Sequence, residues 1–373
     1  MKIQTTLPVW PIAAPVLAWL LLAGAGPGVR LIGGIYLVFM AIGLFAGVLA
    51  AVFHAEVIAH KVGEPYGTLV LAVAVTAIEV ALIVSLMISG GEATTALARD
   101  TVFAAVMIIL NGMVGICLLA GAARHHEQSF GQRGVSAALA TLAAIAVLTM
   151  VLPNYTTTTP GPFYSASQLA FIAIVSLVLY GTFVLVQTVR HRGYFLPETA
   201  AGGAAGNEAN DEDEDAPAAP PPAKLAWISA ALLMACLGSV VLLAKSLAPT
   251  LEAAVVGIGA PEALVGIIIA TVVLLPEGIA AFQAARANRL QTSLNLALGS
   301  ALASIGLTIP AVAIVSLATG WHLSLGLDVK SSVLLMLSLI VATLSLGTGR
   351  TTVMQGTVHL VIFAVYLFTT IVP

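Results

Sequence analysis

Apolar runs of about 18 residues or more recur along almost the whole chain, and each is long enough to cross the ~30 Å hydrocarbon core of a bilayer as a helix. Hydrophobic residues make up 60% of the 373 positions and charged residues only 8%. A soluble domain carries about 25% charged residues, so a water-soluble fold is excluded. A membrane barrel would alternate polar and apolar residues at period two. These runs do not alternate, and inside lipid a helix satisfies its own backbone. The expected fold is therefore an all-α polytopic membrane protein of about eleven transmembrane helices, at roughly 10–26, 31–53, 67–89, 101–122, 135–152, 166–188, 225–247, 262–284, 292–317, 331–347 and 355–372. The first run follows Lys2 and ends in small residues, as a signal peptide does, but its Pro and Trp content favours a retained span.

One segment breaks the pattern. Residues 198–224 are rich in Gly, Ala and Pro and carry the run Asp211, Glu212, Asp213, Glu214, Asp215. Such a composition buries no core and reads as a solvated linker. It lacks the Gly and ligand spacing of an EF-hand loop. The chain then divides into an extra N-terminal helix (1–30), a first five-helix repeat (31–197), the acidic linker (198–224) and a second five-helix repeat (225–373). With the N-terminus and alternate loops on one side, that side collects ten Lys and Arg, including Lys61, Arg124, Arg133, Arg286 and Arg350. The other side has four, Arg30, Arg99, Lys245 and Lys330. Positive charge favours the cytoplasm. The expectation is a multi-pass protein of the bacterial inner membrane, with a cytoplasmic N-terminus and linker and a periplasmic C-terminus.

Two glutamates lie alone in the apolar spans, Glu79 in LVLAVAVTAIEVALIVSLM and Glu277 in ALVGIIIATVVLLPEGIAAF. A carboxylate at bilayer depth costs roughly 2.5–3.5 kcal/mol on insertion scales and marks a functional site by default. The two also correspond. Glu56, Gly63 and Pro65 match Glu252, Gly259 and Pro261 at an offset of 196, and Glu79 matches Glu277 at 198. Five spans separate the two acids, so their helices cross the membrane in opposite senses. This is the pattern of an inverted repeat, which in transporters brings a midplane site to the repeat interface.

Other polar groups accompany the acids. Thr76 shares a helix face with Glu79; its hydroxyl either joins an ion site or bonds back to its own helix. Pro276 precedes Glu277 and frees a carbonyl one turn earlier, which either opens the helix to offer oxygen ligands or only kinks it. The span after each acid carries Asn111 in the first half and Asn295, Ser300, Ser304 and Thr308 in the second. Ser300, Ser304 and Thr308 form one stripe, and Gly112, Gly115 and Gly299 permit close helix approach. All these ligands are oxygens, suited to Ca²⁺, Na⁺ or K⁺. Glu79 and Glu277 are the expected metal-binding carboxylates. Glu56, Glu252, His54 and His60 are candidates for access or gating, against the plainer reading of interfacial side chains. His359 lies in the last span with no partner that the sequence names. Cys117 and Cys236 sit in apolar runs without metal or disulfide spacing.

The segments AEVIAHKVGEPYGTLVLAVAVTAIEVALI and PEGIAAFQAARANRLQTSLNLALGSALASIGLTIP resemble the two α-repeats of the cation/Ca²⁺ exchanger superfamily, and most closely its bacterial ChaA-type branch. The resemblance covers nearly the whole chain, including the one-plus-five-plus-five layout and the acidic linker. It implies Ca²⁺/H⁺ exchange, with Na⁺/H⁺ or K⁺/H⁺ exchange as the alternative. It also implies paired ion-binding roles for Glu79 and Glu277 and side-chain oxygens from Asn111 and Ser300. The chain departs from the pattern where related exchangers carry Gly-Asn before each acid: here stand Val75-Thr76 and Leu275-Pro276.

The expected function is secondary cation/proton antiport. The expected partners are membrane lipid, transported cations and protons, with no nucleic acid, no resident cofactor and no enzymatic activity. No GxxxxGK[ST] motif signals ATP use. A cation channel would usually build rings of acids from several subunits, and an intramembrane protease would need an activated catalytic pair.

Overall fold

The computed structural model describes residues 7–63, 66–195, 221–257, 259, 261 and 263–372. The acidic run Asp211–Asp215, Pro65 and most of the linker lie outside the described residues. Among the described residues, nine helices are long and apolar enough to cross a membrane. A bent pair, α1 (Val9–Ala23) and α2 (Ala25–Ile32), turns through 73° at Gly24 and supplies a tenth. Helix α4 (Tyr66–Gly90), with the apolar stretch Val73–Ile88, accounts for the remaining expected span.

The first repeat comprises α3 (Gly34–Val62), α4, a span of α5 (Leu97–Met107) and α6 (Val114–His125), then α7 (Gln132–Ala146) and α8 (Ala166–Leu185). The second comprises α9 (Ala223–Gly257), α10 (Ala263–Arg286), α11 (Leu290–Thr319), α12 (Val329–Leu346) and α13 (Val353–Ile371). The α5–α6 span is joined by a π-turn, Ile108–Met113. Two helices run nearly three turns past their expected ends. Helix α3 continues to Val62, so His54, Glu56 and His60 are helical, and α9 continues to Gly257, so Glu252 is too. Helix α10 runs unbroken through Pro276.

The halves match in packing as well as sequence. Helix α4 packs on α11, and α10 packs on α5 and α6; α8 packs on α11, and α13 on α6. Helices α3 and α9 pack on each other, as do α7 and α12. Exchanging the two sets of five leaves this pattern unchanged, as a pseudo-two-fold axis in the membrane plane requires. Gly63 and Gly259, matched in sequence, both take positive φ, 75° and 73°, a conformation open mainly to glycine. Two of the three glycines expected at close contacts are there: a Cβ at Gly112 would meet Phe363 at 3.2 Å, and one at Gly115 would meet Leu360 at 3.0 Å. Gly299 faces open space instead.

The loops gather into two groups. Gln128–Ser129 (β1) pairs antiparallel with Arg350–Thr351 (β2), His125 Nε2 lies 3.1 Å from the Arg286 carbonyl, and Gln291 accepts from the Gly131 amide. At the opposite end, Arg99 donates to Ser324 and the Gly326 carbonyl, and Asn154 to the Leu327 carbonyl. Each group holds loops that the charge pattern assigns to one side. Between them the α5–α6 span and α11 are the most enclosed helices, while Phe39, Phe171 and Phe368 project from the outer helices toward lipid.

Candidate functional site

The two enclosed spans are those that follow the acidic helices, so each acid faces the best-shielded helix of the opposite half. Glu79 on α4 is 3% exposed. Ser304 on α11 donates to its Oε2 at 2.6 Å, within the range of a charge-assisted bond. The other oxygen, Oε1, is buried without a hydrogen-bond partner. Glu277 on α10 is half-buried as a residue, but its Oε2 is likewise buried and unpartnered. The charge of Glu79 bears on Glu277, so the acids share one electrostatic neighbourhood. Ionised carboxylates in apolar surroundings are costly unless paired. A proton or a cation is what such atoms can take up.

Hydroxyls complete the surroundings. Thr76, one turn before Glu79, is buried. Thr308, one turn beyond Ser304, is buried with its hydroxyl unpartnered. Ser300 is half-buried on the same stripe. Gly278 lets α10 approach the π-turn, since a Cβ there would meet Met113 Cε at 3.4 Å. Among the described residues no group of three or more His, Cys, Asp or Glu comes together. A cation held here would therefore depend on two carboxylates supplemented by hydroxyl and main-chain oxygens.

Other expected residues stand elsewhere. The Asn111 amide turns toward α12 and α13. Its Nδ2 donates to Ser338 Oγ at 2.8 Å, and His359 Nδ1 lies 3.4 Å from its Oδ1. Asn295 donates to the Phe195 carbonyl at a helix end. His54 is fully buried, its Nε2 3.1 Å from the Pro11 carbonyl of α1. Glu56 is half-buried, and His60, one turn on, interacts with it electrostatically. Glu252 is exposed on α9. Sequence reasoning missed Ser338 and Ser345, which read as ordinary small residues of an apolar span; Ser345 Oγ lies 2.8 Å from His359 Nε2.

The family described as sodium/calcium exchanger protein matches residues 32–189 and 228–372, both repeats and therefore most of the chain. The chain belongs to this family. Within the family's wider circle it is 49% identical over 367 residues to y4hA of Sinorhizobium fredii, named as a candidate ionic transporter, covering 98% of this chain and 97% of that one. It is 35% identical over 328 residues to the sodium-potassium/proton antiporter ChaA of Escherichia coli, covering 88% and 86%. The solved H⁺/Ca²⁺ exchanger CAX superposes with a TM-score of 0.68 at 15% identity, covering 96% of this chain and 87% of that one; at that identity the likeness concerns the fold. The protein is thus a multi-pass membrane member of the cation/Ca²⁺ exchanger superfamily, whose relatives are antiporters.

Proposed function

We propose that this protein is a cation/proton antiporter in which Glu79 and Glu277 hold a cation and protons by turns, with Ca²⁺ the favoured cation. The observation that carries this reading is the pair of buried, unpartnered carboxylate oxygens, Glu79 Oε1 and Glu277 Oε2, one from each half. Two adjacent carboxylates repel when both are ionised and empty. Two protons or one divalent cation neutralise them equally. Competition for that pair gives exchange, provided the charged, empty site rarely changes sides. Alternating access would come from movement of the repeats around the site. The proton gradient supplies the driving force, with about 2.3 kcal/mol per charge per 100 mV from the electrical part. The setting is the bacterial inner membrane, with the N-terminus cytoplasmic.

A second reading, Na⁺ or K⁺ exchange for H⁺ at the same site, is favoured by the name of the E. coli relative. The two separate in everted vesicles carrying an acid-interior gradient and a pH-sensitive dye. Ca²⁺/H⁺ exchange predicts that micromolar-to-millimolar CaCl₂ collapses the gradient and that NaCl or KCl at equal ionic strength collapses it less. The reverse order selects the monovalent reading. No response to any of the three would contradict antiport altogether.

A further inference from the structure

Beside the acids the pseudo-two-fold is broken in side-chain contacts. Helix α11 begins at Leu290 and the α5–α6 span at Leu97, an offset of 193, and the same offset relates Ser304 to Asn111. The two residues therefore hold equivalent places, each on the helix that faces the opposite half's acidic helix. Ser304 uses its place to donate to Glu79. Asn111 makes no such bond to Glu277, whose Oε2 is left without a partner.

The reason lies behind Asn111. Asn111, Ser338 and His359 are fully buried, and Ser345 nearly so. Ser338 Oγ gives its proton to the Leu334 carbonyl at 2.7 Å and so accepts from Asn111 Nδ2, which fixes which end of the amide faces α12. The remaining Nδ2 proton faces Met107 Sδ at 3.7 Å. Oδ1 then faces His359 Nδ1, which must carry the proton, and Ser345 donates to Nε2. The Leu110 carbonyl, in the π-turn, is a second acceptor beside the same ring. Both ends of the amide are occupied by α12 and α13, and His359 is itself held from both sides.

We propose that His359 is a positioning residue for the transport site: with Ser338 it holds the Asn111 amide away from Glu277 and thereby sets cation affinity. This rests on the reading of Glu79 and Glu277 as the ion-binding pair. Released from His359 or Ser338, Asn111 could turn as Ser304 does and add an oxygen beside Glu277. The bound cation would gain a ligand, and its release would slow.

The test uses the full-length chain, purified and reconstituted, with whichever of CaCl₂, NaCl or KCl drives proton exchange in the unaltered protein. The apparent KM for that cation and the maximal rate are measured for His359→Leu, His359→Gln, Ser338→Ala, Asn111→Leu and the double variants. His359→Leu and Ser338→Ala are each expected to lower KM roughly threefold or more, in the range of couplings between contacting residues. The maximal rate should not rise. His359→Gln, which keeps a donor, should restore KM toward that of the unaltered protein. In the Asn111→Leu background, His359→Leu should move KM no further. An unchanged KM in both single variants overturns the proposal, as does a shift of equal size with and without the Asn111 amide. If His359→Leu does not reach the membrane, Ser338→Ala, which removes only a hydroxyl, decides by the same criteria. Glu277→Gln measured alongside keeps the two levels apart: full exchange in that variant defeats the reading of the acids, while the His359–Asn111 coupling is judged by the double variants.

Discussion

Ser304 donates to Glu79 at 2.6 Å, and that donation favours the ionised carboxylate that a cation needs. Ser304→Ala leaves that oxygen unsatisfied, a loss of about 1–3 kcal/mol. The expected result is an apparent cation affinity weaker by roughly tenfold at constant pH, near the lower part of that range, with normal amounts of protein in the membrane. Flux titrations with Ca²⁺ and with Na⁺ measure it; an unchanged KM for both cations would remove Ser304 from the site. At this scale the acids were legible because nothing else in an apolar span explains a lone carboxylate. Ser304 was legible as part of a stripe with Ser300 and Thr308. The partners of Asn111 and His359 were not, because Asn111 and His359 are 248 positions apart. Helical periodicity tells which residues share a face but not which distant helix covers it.

Elements were readable from their apolar length, and their ends less so. Helices α3 and α9 exceed the ~20 residues a bilayer needs: each continues past its apolar run, α3 to Val62, where Gly63 caps it, and α9 to Gly257. The relaxation expected at Pro276 is found instead in the other half, at the π-turn Ile108–Met113, which no proline announces. Gly356 marks where α13 meets α6: a Cβ there would lie 2.6 Å from the Leu119 amide nitrogen and 3.0 Å from the Gly115 carbonyl oxygen. Both are main-chain atoms that cannot swing aside. Gly356→Ala should push the helices apart and cost about 1–3 kcal/mol, as overpacking does. A lower thermal midpoint of the detergent-purified protein checks this, and an unchanged midpoint would mean the contact is loose. The acidic linker is expected to be dispensable for transport, since its composition folds with nothing. Replacing residues 206–218 with Gly and Ser of equal length should leave exchange intact. Complete loss of exchange in a well-expressed variant would show that the linker takes part in the cycle.

For the whole molecule, the repeat was visible in a handful of residues, Glu56, Gly63, Glu79 and their partners, because the two halves keep nearly the same spacing between them, at offsets of 196 and 198. The broken symmetry at Asn111 was not visible, since it depends on side-chain orientation between helices. The proposed orientation rests on the ten-to-four distribution of Lys and Arg. A reporter active only outside the cytoplasm, fused after Pro373, should be active; silence from a well-expressed fusion would contradict the assignment. The central claim is that the two halves meet to make one titrating pair. Gln keeps the size of Glu and one oxygen but cannot exchange a proton, and it lowers the cost of burial. Collapse of a pH gradient on adding CaCl₂ to everted vesicles should therefore vanish in both Glu79→Gln and Glu277→Gln. It should persist in Glu127→Gln, which alters only an exposed loop carboxylate 3.5 Å from Arg350. A divalent cation needs both carboxylates, while a monovalent one balances a single charge, so residual Na⁺ movement in one variant is compatible with the account. A Ca²⁺ response equal to that of the unaltered protein in either Gln variant would contradict it.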